Sequence, residues 1–317
     1  MSPTLSLNDR AWRLTVELSS RAEELRVAPH VVADAAVYDF GIAAPGGIEA
    51  GLLLARLCMA DLGRVALVPG RLGERDWPAV QTATDAPFEA CLLSQYAGWQ
   101  IACGDYFAMG SGPMRAAAAR EELFRESNVR ETPCGVVGVL EGRKLPTPEV
   151  ISWLTERTGV PAGSTVLAIA PTASLAGTVQ VVARSVETAL HKLHELNFDV
   201  RQIVSGAGTA PLPPVARDDL RGIGWTNDSI LYGARVDLWV RADDAVLADV
   251  GPRVPACSGQ GYGAPFFELF EAAGRDFYKL DPRLFSPAVV RFFNLSSGRT
   301  HTFGRQAPEV LARSFGL

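Results

Sequence analysis

Helical and strand periodicities alternate along this chain from end to end, and no low-complexity stretch separates one block from another. That alternation selects a mixed α/β architecture over an all-α or all-β one. With 317 residues, 48% of them hydrophobic, the chain can bury a large core. Leu7, Ala11, Leu14, Leu18, Ala22 and Leu25 recur at helical spacing, with Asn8 as the candidate cap, and a β-rich run over 31–40 follows. Gly46-Gly47-Ile48-Glu49-Ala50-Gly51 leads into a helix stopped by Gly63, ahead of a strand over 65–68. A helix over 87–97 precedes the tight loop Met109-Gly110-Ser111-Gly112-Pro113-Met114-Arg115, where Pro113 opens an Ala-rich helix toward Glu126. Then come a strand over 136–140, a helix over 148–157 ended by Gly159, and a buried strand over 165–170. Pro171-Thr172-Ala173-Ser174 leads into one long helix to Leu196, and 199–204 returns as a strand into the glycine loop 205–211.

Composition narrows the class. A formal charge of −5 and the lack of any Lys/Arg run argue against a nucleic-acid partner, which demands clustered cations. Apolar runs fall far short of the roughly 18 to 20 residues of a membrane span, and the start lacks the charged flank and apolar core of a secretory signal, so a cytoplasmic protein is expected. Five cysteines, an odd number with no CxxC pair, suit a reducing compartment. His30, His191, His194 and His301 form no HExxH or Cys/His ligand pattern, and no nucleophile elbow or phosphate fingerprint occurs, so no bound metal or nucleotide is expected.

The polar residues of the long helix carry the first candidate chemistry. Gln180, Arg184, Glu187 and His191 trace one stripe, opposite Val182, Val186, Ala189, Leu193 and Leu196. This stripe is either a solvated face with an i,i+3 ion pair worth about 0.2–0.5 kcal/mol, or the wall of a cleft where a guanidinium tunes a carboxylate for general-base work. Glycine loops 109–113, with Gly110, Ser111 and Gly112, and 205–211, with Gly206 and Gly208, either allow tight turns or offer backbone N–H groups to an anionic or carbonyl group. Gln95-Tyr96-Ala97-Gly98-Trp99 suits either a core-facing helix or a stacking surface for a planar ring, whose polar edge Gln95 reads. Asp39 and Glu49 stand at element ends, where caps and site residues both occur.

Read in order, the segments 46–51, 90–99, 109–115, 170–177, 183–192, 206–214, 227–233, 277–282 and 294–304 resemble the methenyltetrahydromethanopterin cyclohydrolase family over nearly the whole chain. Two departures touch packing: Met114 where an alanine is usual, and Tyr38-Asp39-Phe40-Gly41 in place of Ile-Asp-Cys-Gly.

The resemblance implies a single unit over 1–317, built as two intertwined α/β lobes without a clear linker and with a cleft between them. It implies reversible hydrolysis of N5,N10-methenyltetrahydromethanopterin to the N5-formyl form in formaldehyde oxidation by a methylotroph. No metal or redox cofactor is implied, and a homo-oligomer is, with a trimer favoured. Glu187 then acts as base and Arg184 as its partner, while Gln95, Tyr96, Gly110, Ser111, Gly112, Gly206 and Gly208 are candidates for the pterin and its arm. The competing readings are a cyclohydrolase for the folate analogue and a non-catalytic pterin-binding protein. Turnover separates the second from the enzyme.

Overall fold

The computed structural model describes residues 6–274, 279 and 284–317; of the stretch 277–282 only Lys279 falls within them. Twelve strands run through the described residues: β1 (Ala28–Val32), β2 (Ala35–Asp39), β3 (Gly63–Leu72), β4 (Arg75–Thr84), β5 (Trp99–Cys103), β6 (Tyr106–Ser111), β7 (Val136–Glu141), β8 (Thr165–Ala170), β9 (Ile203–Pro211), β10 (Arg235–Val240), β11 (Val289–Asn294) and β12 (Thr300–Gly304). They form two six-stranded mixed sheets, accompanied by helices. The chain divides into two compact units, Met1–Gly63 with Glu89–Gln180 and Arg64–Phe88 with Val181–Leu317. Among the described residues no helix is long and apolar enough to cross a membrane.

The first unit holds the sheet ordered β1-β2-β8-β7-β6-β5, in which β2, β8 and β7 run parallel. The residues of β8 alternate between two cores, as a strand buried on both faces requires. Val166, Ala168 and Ala170 meet the apolar faces of helices Leu7–Ser20 and Ile48–Cys58, while Leu167 and Ile169 meet Val150, Ile151 and Leu154 of helix Pro148–Thr158. Each such leucine or isoleucine contributes about 1.5–3 kcal/mol by leaving water. Pro148 sets the φ of the first helical turn, and Gly159, at φ 72°, ends the helix in the left-handed region.

Some expected elements take another form, for reasons of tertiary contact. Asn8 lies inside its helix instead of capping it: its side chain donates to Pro113 O and Glu131 and accepts from Val137 N. Glu131, distant in sequence, receives the Leu7 and Asn8 N–H groups that a cap would otherwise take. The first-unit helix of 87–97 is a π-helical stretch, Phe88–Gln95, and the Ala-rich helix splits at Ala119 into Met114–Ala118 and Glu122–Ser127. Residues 109–111 belong to β6, so only Gly112 and Pro113 make the turn. The helix after Ile48 ends at Cys58, and Gly63 opens β3 instead of stopping a helix.

The second unit holds the sheet ordered β12-β11-β10-β9-β4-β3, with β10 and β11 parallel and β9 antiparallel to both neighbours. The segment 205–211 is therefore the interior of a central strand and not a loop. Beyond β9, helices Asp219–Asp228, Phe266–Ala272 and Pro308–Phe315 surround Leu231, Tyr232, Leu284 and Leu311. Asp228 ties them together, accepting from Phe266 N at 2.8 Å and Ser314 Oγ at 2.5 Å.

Met114 is fully buried, and its length is taken up by absent side chains. Its Sδ lies 2.2 Å from where a Cβ on Gly138 would stand, and its Cε 3.0 Å from the corresponding point on Gly110. Gly138→Ala is expected to cost about 1–3 kcal/mol in urea unfolding, and to be near neutral in a Met114→Ala background, where the added methyl fills the void. Burial pushes the Asp228 carboxyl up to about 7, from an ordinary 3.8. Its folded pKa is the higher one, so its contribution is complete below about pH 4 and is lost as pH rises through about 7. Asp228→Asn, which can still accept from Phe266 N and donate to Ser314 Oγ, should flatten the decline in unfolding free energy over that window.

Candidate active site

The expected long helix is two. Leu175–Val182 ends, the chain turns through Ala183 and Arg184, and Ser185–Glu195 begins with Arg184 as its N-cap residue. Thr82 on β4 donates through Oγ1 to the Ala183 carbonyl at 2.9 Å, giving that carbonyl a partner outside the helix. Arg184 O in turn accepts from both the N–H and the Oγ1 of Thr188, which fixes the first turn of the second helix.

What sets this turn in place is the sheet beneath it. Gly206 and Gly208 lie two residues apart on β9, hence on one face. A Cβ at Gly206 would stand 2.8 Å from Val186 Cγ1, and one at Gly208 would stand 2.4 Å from Ser185 Oγ. The glycines are present because the helix backbone must come close, not to bare their N–H groups: β9 pairs through 206–208 with β4 on one side and β10 on the other.

Arg184 and Glu187 are each only 6% exposed. The solvated-face reading of the polar stripe is therefore set aside for these two, while His191 stays half-buried and Gln180 belongs to the preceding helix. Residues three apart on a helix are neighbours, so a guanidinium and a carboxylate share one largely dry first turn. Glu187 also sits where the positive end of the helix dipole favours an anion. Such a carboxylate can take a proton from water while the guanidinium holds charge beside it.

The first unit gathers the other candidates around a buried polar group. Gln95 closes the π-helical stretch, fully buried, and Tyr96 N donates to Cys91 O. Ser111 Oγ shares a hydrogen bond of 3.1 Å with Cys58 Sγ, which also accepts from Gln180 Nε2 at 3.3 Å, and Ser94 Oγ donates to Cys58 O. Gly112, at φ 87°, makes a turn that other residues rarely adopt and donates its N–H to Ser94 O. Gly110 pairs with Trp99 and Leu140 inside the sheet. Segment 109–113 thus spends its backbone groups on the fold.

Arg115, absent from the sequence candidates, organises this region. It is fully buried, forms a bidentate pair with Glu121 at 2.9–3.1 Å, donates to the carbonyls of Leu92 and Ser94, and lies over the rings of Tyr96 and Phe124, each centroid 5.2 Å away. No sequence signal singles out this arginine within an Ala-rich helix; its partners come from the π-helical stretch and its exit and from the following helix and its N-cap, Glu121. Cys58, buried, is also a hydrogen-bonding member of the cluster.

Asp39 is structural. Burial alone would raise its carboxyl, but N–H donors from Ala44, Ile42, Ala43 and Gly41, at 2.6–2.9 Å, outweigh that and hold it below the usual range. Glu49 is an exposed first-turn acid of helix Ile48–Cys58. Among the described residues no three His, Cys, Asp or Glu side chains converge as a metal site.

Fold and site together define a mixed α/β protein that presents a buried carboxylate beside a guanidinium. Comparison with known proteins makes the class particular: the family model described as Cyclohydrolase (MCH) matches residues 6–315. Methenyltetrahydromethanopterin cyclohydrolase of Rhodopirellula baltica is 47% identical over 298 residues, covering 92% of this chain and 90% of that one. The protein of the same name from Xanthobacter autotrophicus is 44% identical, covering 99% and 94%, and that of Methanococcoides burtonii is 38% identical, covering 99% of each. The chain belongs to the methenyltetrahydromethanopterin cyclohydrolase family.

The close approach at β9 can be tested directly. Gly208→Ala, whose methyl would meet Ser185 Oγ at 2.4 Å, is expected to lower stability by about 1–3 kcal/mol in urea unfolding. Ser185→Ala in the same chain should restore part of that loss by removing the atom that is struck.

Proposed function

We propose that this chain catalyses the reversible hydrolysis of N5,N10-methenyltetrahydromethanopterin to N5-formyltetrahydromethanopterin, with Glu187 as general base and Arg184 as its electrostatic partner. Family membership over residues 6–315 supports the reaction, and the burial of Arg184 and Glu187 in one helical turn is the observation that carries the assignment of roles.

The substrate carbon lies between two nitrogens in an amidinium cation and is already electrophilic, so the reaction is written without a metal or redox cofactor. Water adds to that carbon as Glu187 takes one of its protons, giving a neutral tetrahedral adduct. Glu187 then delivers the proton to N10. The C–N10 bond breaks as the adduct hydroxyl becomes the formyl carbonyl, and the hydroxyl proton leaves to solvent, so one proton is released overall. Arg184 supplies a fixed positive charge in the same helical turn as Glu187. A guanidinium and a carboxylate together also present a balanced charge to a cationic substrate, where an unpaired cation would repel it.

Gln95, Tyr96, Gly110, Ser111 and Gly112 remain proposed contacts or supports for the pterin and its arm. Gly206 and Gly208 act through the helix they admit. We place the reaction in formaldehyde oxidation in a methylotroph's cytoplasm, for which the support is the likeness to bacterial members of the family, and the protein in a homo-oligomer, a trimer being favoured by the resemblance to archaeal members.

The experiment follows loss of the methenyl chromophore against an uncatalysed control. The wild-type chain should accelerate it, and Glu187→Gln should lower kcat about 10²–10⁴-fold while its circular dichroism and unfolding midpoint stay in place. Unchanged turnover by a folded Glu187→Gln chain would overturn the base assignment. Tight pterin binding without turnover by the wild type would favour the non-catalytic reading.

A further inference from the structure

In the β1-β2-β8-β7-β6-β5 sheet, the adjacent parallel strands β7 and β8 send the chain to opposite faces. From β7 it passes to helix Pro148–Thr158, which packs with Leu167 and Ile169. From β8 it passes to helix Leu175–Val182, whose Ala176 joins the opposite core with Val137 and Ala168. Open α/β sheets bind ligands in the crevice outside the carboxyl ends of two such strands, where departing connections diverge.

The last residue of β7 is Glu141, in register with Ala170 at the end of β8, and two residues on from Ala170 stands Thr172. Thr172 Oγ1 donates to Glu141 Oε1 across the two strand ends. Thr172 is itself held, since Thr178 Oγ1 donates to its carbonyl at 3.0 Å, and it is buried, whereas Glu141 is partly exposed. The contrast with Asp39, at the end of neighbouring β2, is informative. Both oxygens of Asp39 are occupied by four backbone N–H groups and the residue is buried, which makes it a structural carboxylate. Glu141 is steered by a hydroxyl, keeps acceptor capacity beyond that bond, since a carboxylate offers about four lone-pair positions, and reaches solvent.

We propose that Glu141, oriented by Thr172, is a specificity-determining residue that accepts two parallel N–H donors from a planar ligand edge. Resting on the function proposed above, that edge is the 2-amino and N3–H pair of the pterin ring. A carboxylate meets such an edge in bidentate fashion, with charge-assisted bonds that a neutral amide cannot reproduce, because its NH2 group would face a donor.

The test uses the full chain with tetrahydromethanopterin, which carries no one-carbon unit and cannot turn over, in titration calorimetry, alongside kinetics with the methenyl substrate. Glu141→Gln should weaken carrier binding about ten- to hundredfold and raise KM with kcat within about threefold. Thr172→Val, isosteric but without the hydroxyl, should raise KM by about three- to tenfold, and Thr172→Ser should restore it. A merely structural role would lower kcat and unfolding midpoint together and leave no such split. If Glu141→Gln does not fold, the Thr172 pair reads the same geometry. Carrier affinity within about twofold of wild type in both folded variants overturns the inference even if the wild type turns over, as does a wild type that binds no carrier. Glu141-dependent binding by a chain that hydrolyses nothing leaves the inference standing and removes the cyclohydrolase reading.

Discussion

Two backbones can approach closely only where side chains are missing, and β9 supplies that condition at Gly206 and Gly208. The helix Ser185–Glu195 begins directly against these positions, while Thr82 on the neighbouring strand β4, opposite Gly208, holds the Ala183 carbonyl. The consequence is local and chemical. A short turn is pinned on the sheet, the two residues flanking Ser185 and Val186 are Arg184 and Glu187, and both charged groups end up largely away from water. Away from water, a charge acts more strongly on any other charge nearby. The position of Arg184 and Glu187 is thus a product of strand composition as much as of their own helix.

The first unit uses charge differently. Asp39 and Arg115 are saturated, the one by backbone N–H groups and the other by a carboxylate, two carbonyls and two aromatic faces. Buried charges of this kind stabilise only if nearly all their hydrogen-bonding capacity is met, and here they fasten the loop 41–44 after β2 and the last turn of the π-helical stretch at 92–96. Glu141 is the exception at the same sheet edge, tied by a single threonine hydroxyl and open to solvent.

Much of this was legible in the residues. The apolar run of β8 read as a buried strand, the Pro148 and Gly159 punctuation of its preceding helix, and the mixed α/β class all follow from local rules. The i,i+3 spacing of Arg184 and Glu187 was visible in the sequence, but their burial was not, because burial depends on what covers the face. The helix break at Ala183 was hidden for a sharper reason: the hydroxyl that claims its carbonyl stands 101 residues earlier. Residues 205–211 looked like a loop since glycines weaken an isolated strand; only the helix lying on them explains why a central strand should lack side chains. Asn8 misled in the same way, as its side chain serves Pro113 and Val137 instead of its own helix.

The order in which the chain alternates between its two units has a consequence for its birth. Arg64–Phe88 leaves the ribosome long before the rest of its unit, and its hairpin must wait for β9. Trp77, for example, donates to a carbonyl 135 residues further on. At a synthesis rate of about 5–20 residues per second, that leaves a strand edge and its apolar side chains unpaired for several seconds or more. High contact order of this kind slows folding and lengthens exposure to aggregation. The time for which that edge stands open is therefore set by translation speed, which the stability of the finished fold does not reveal.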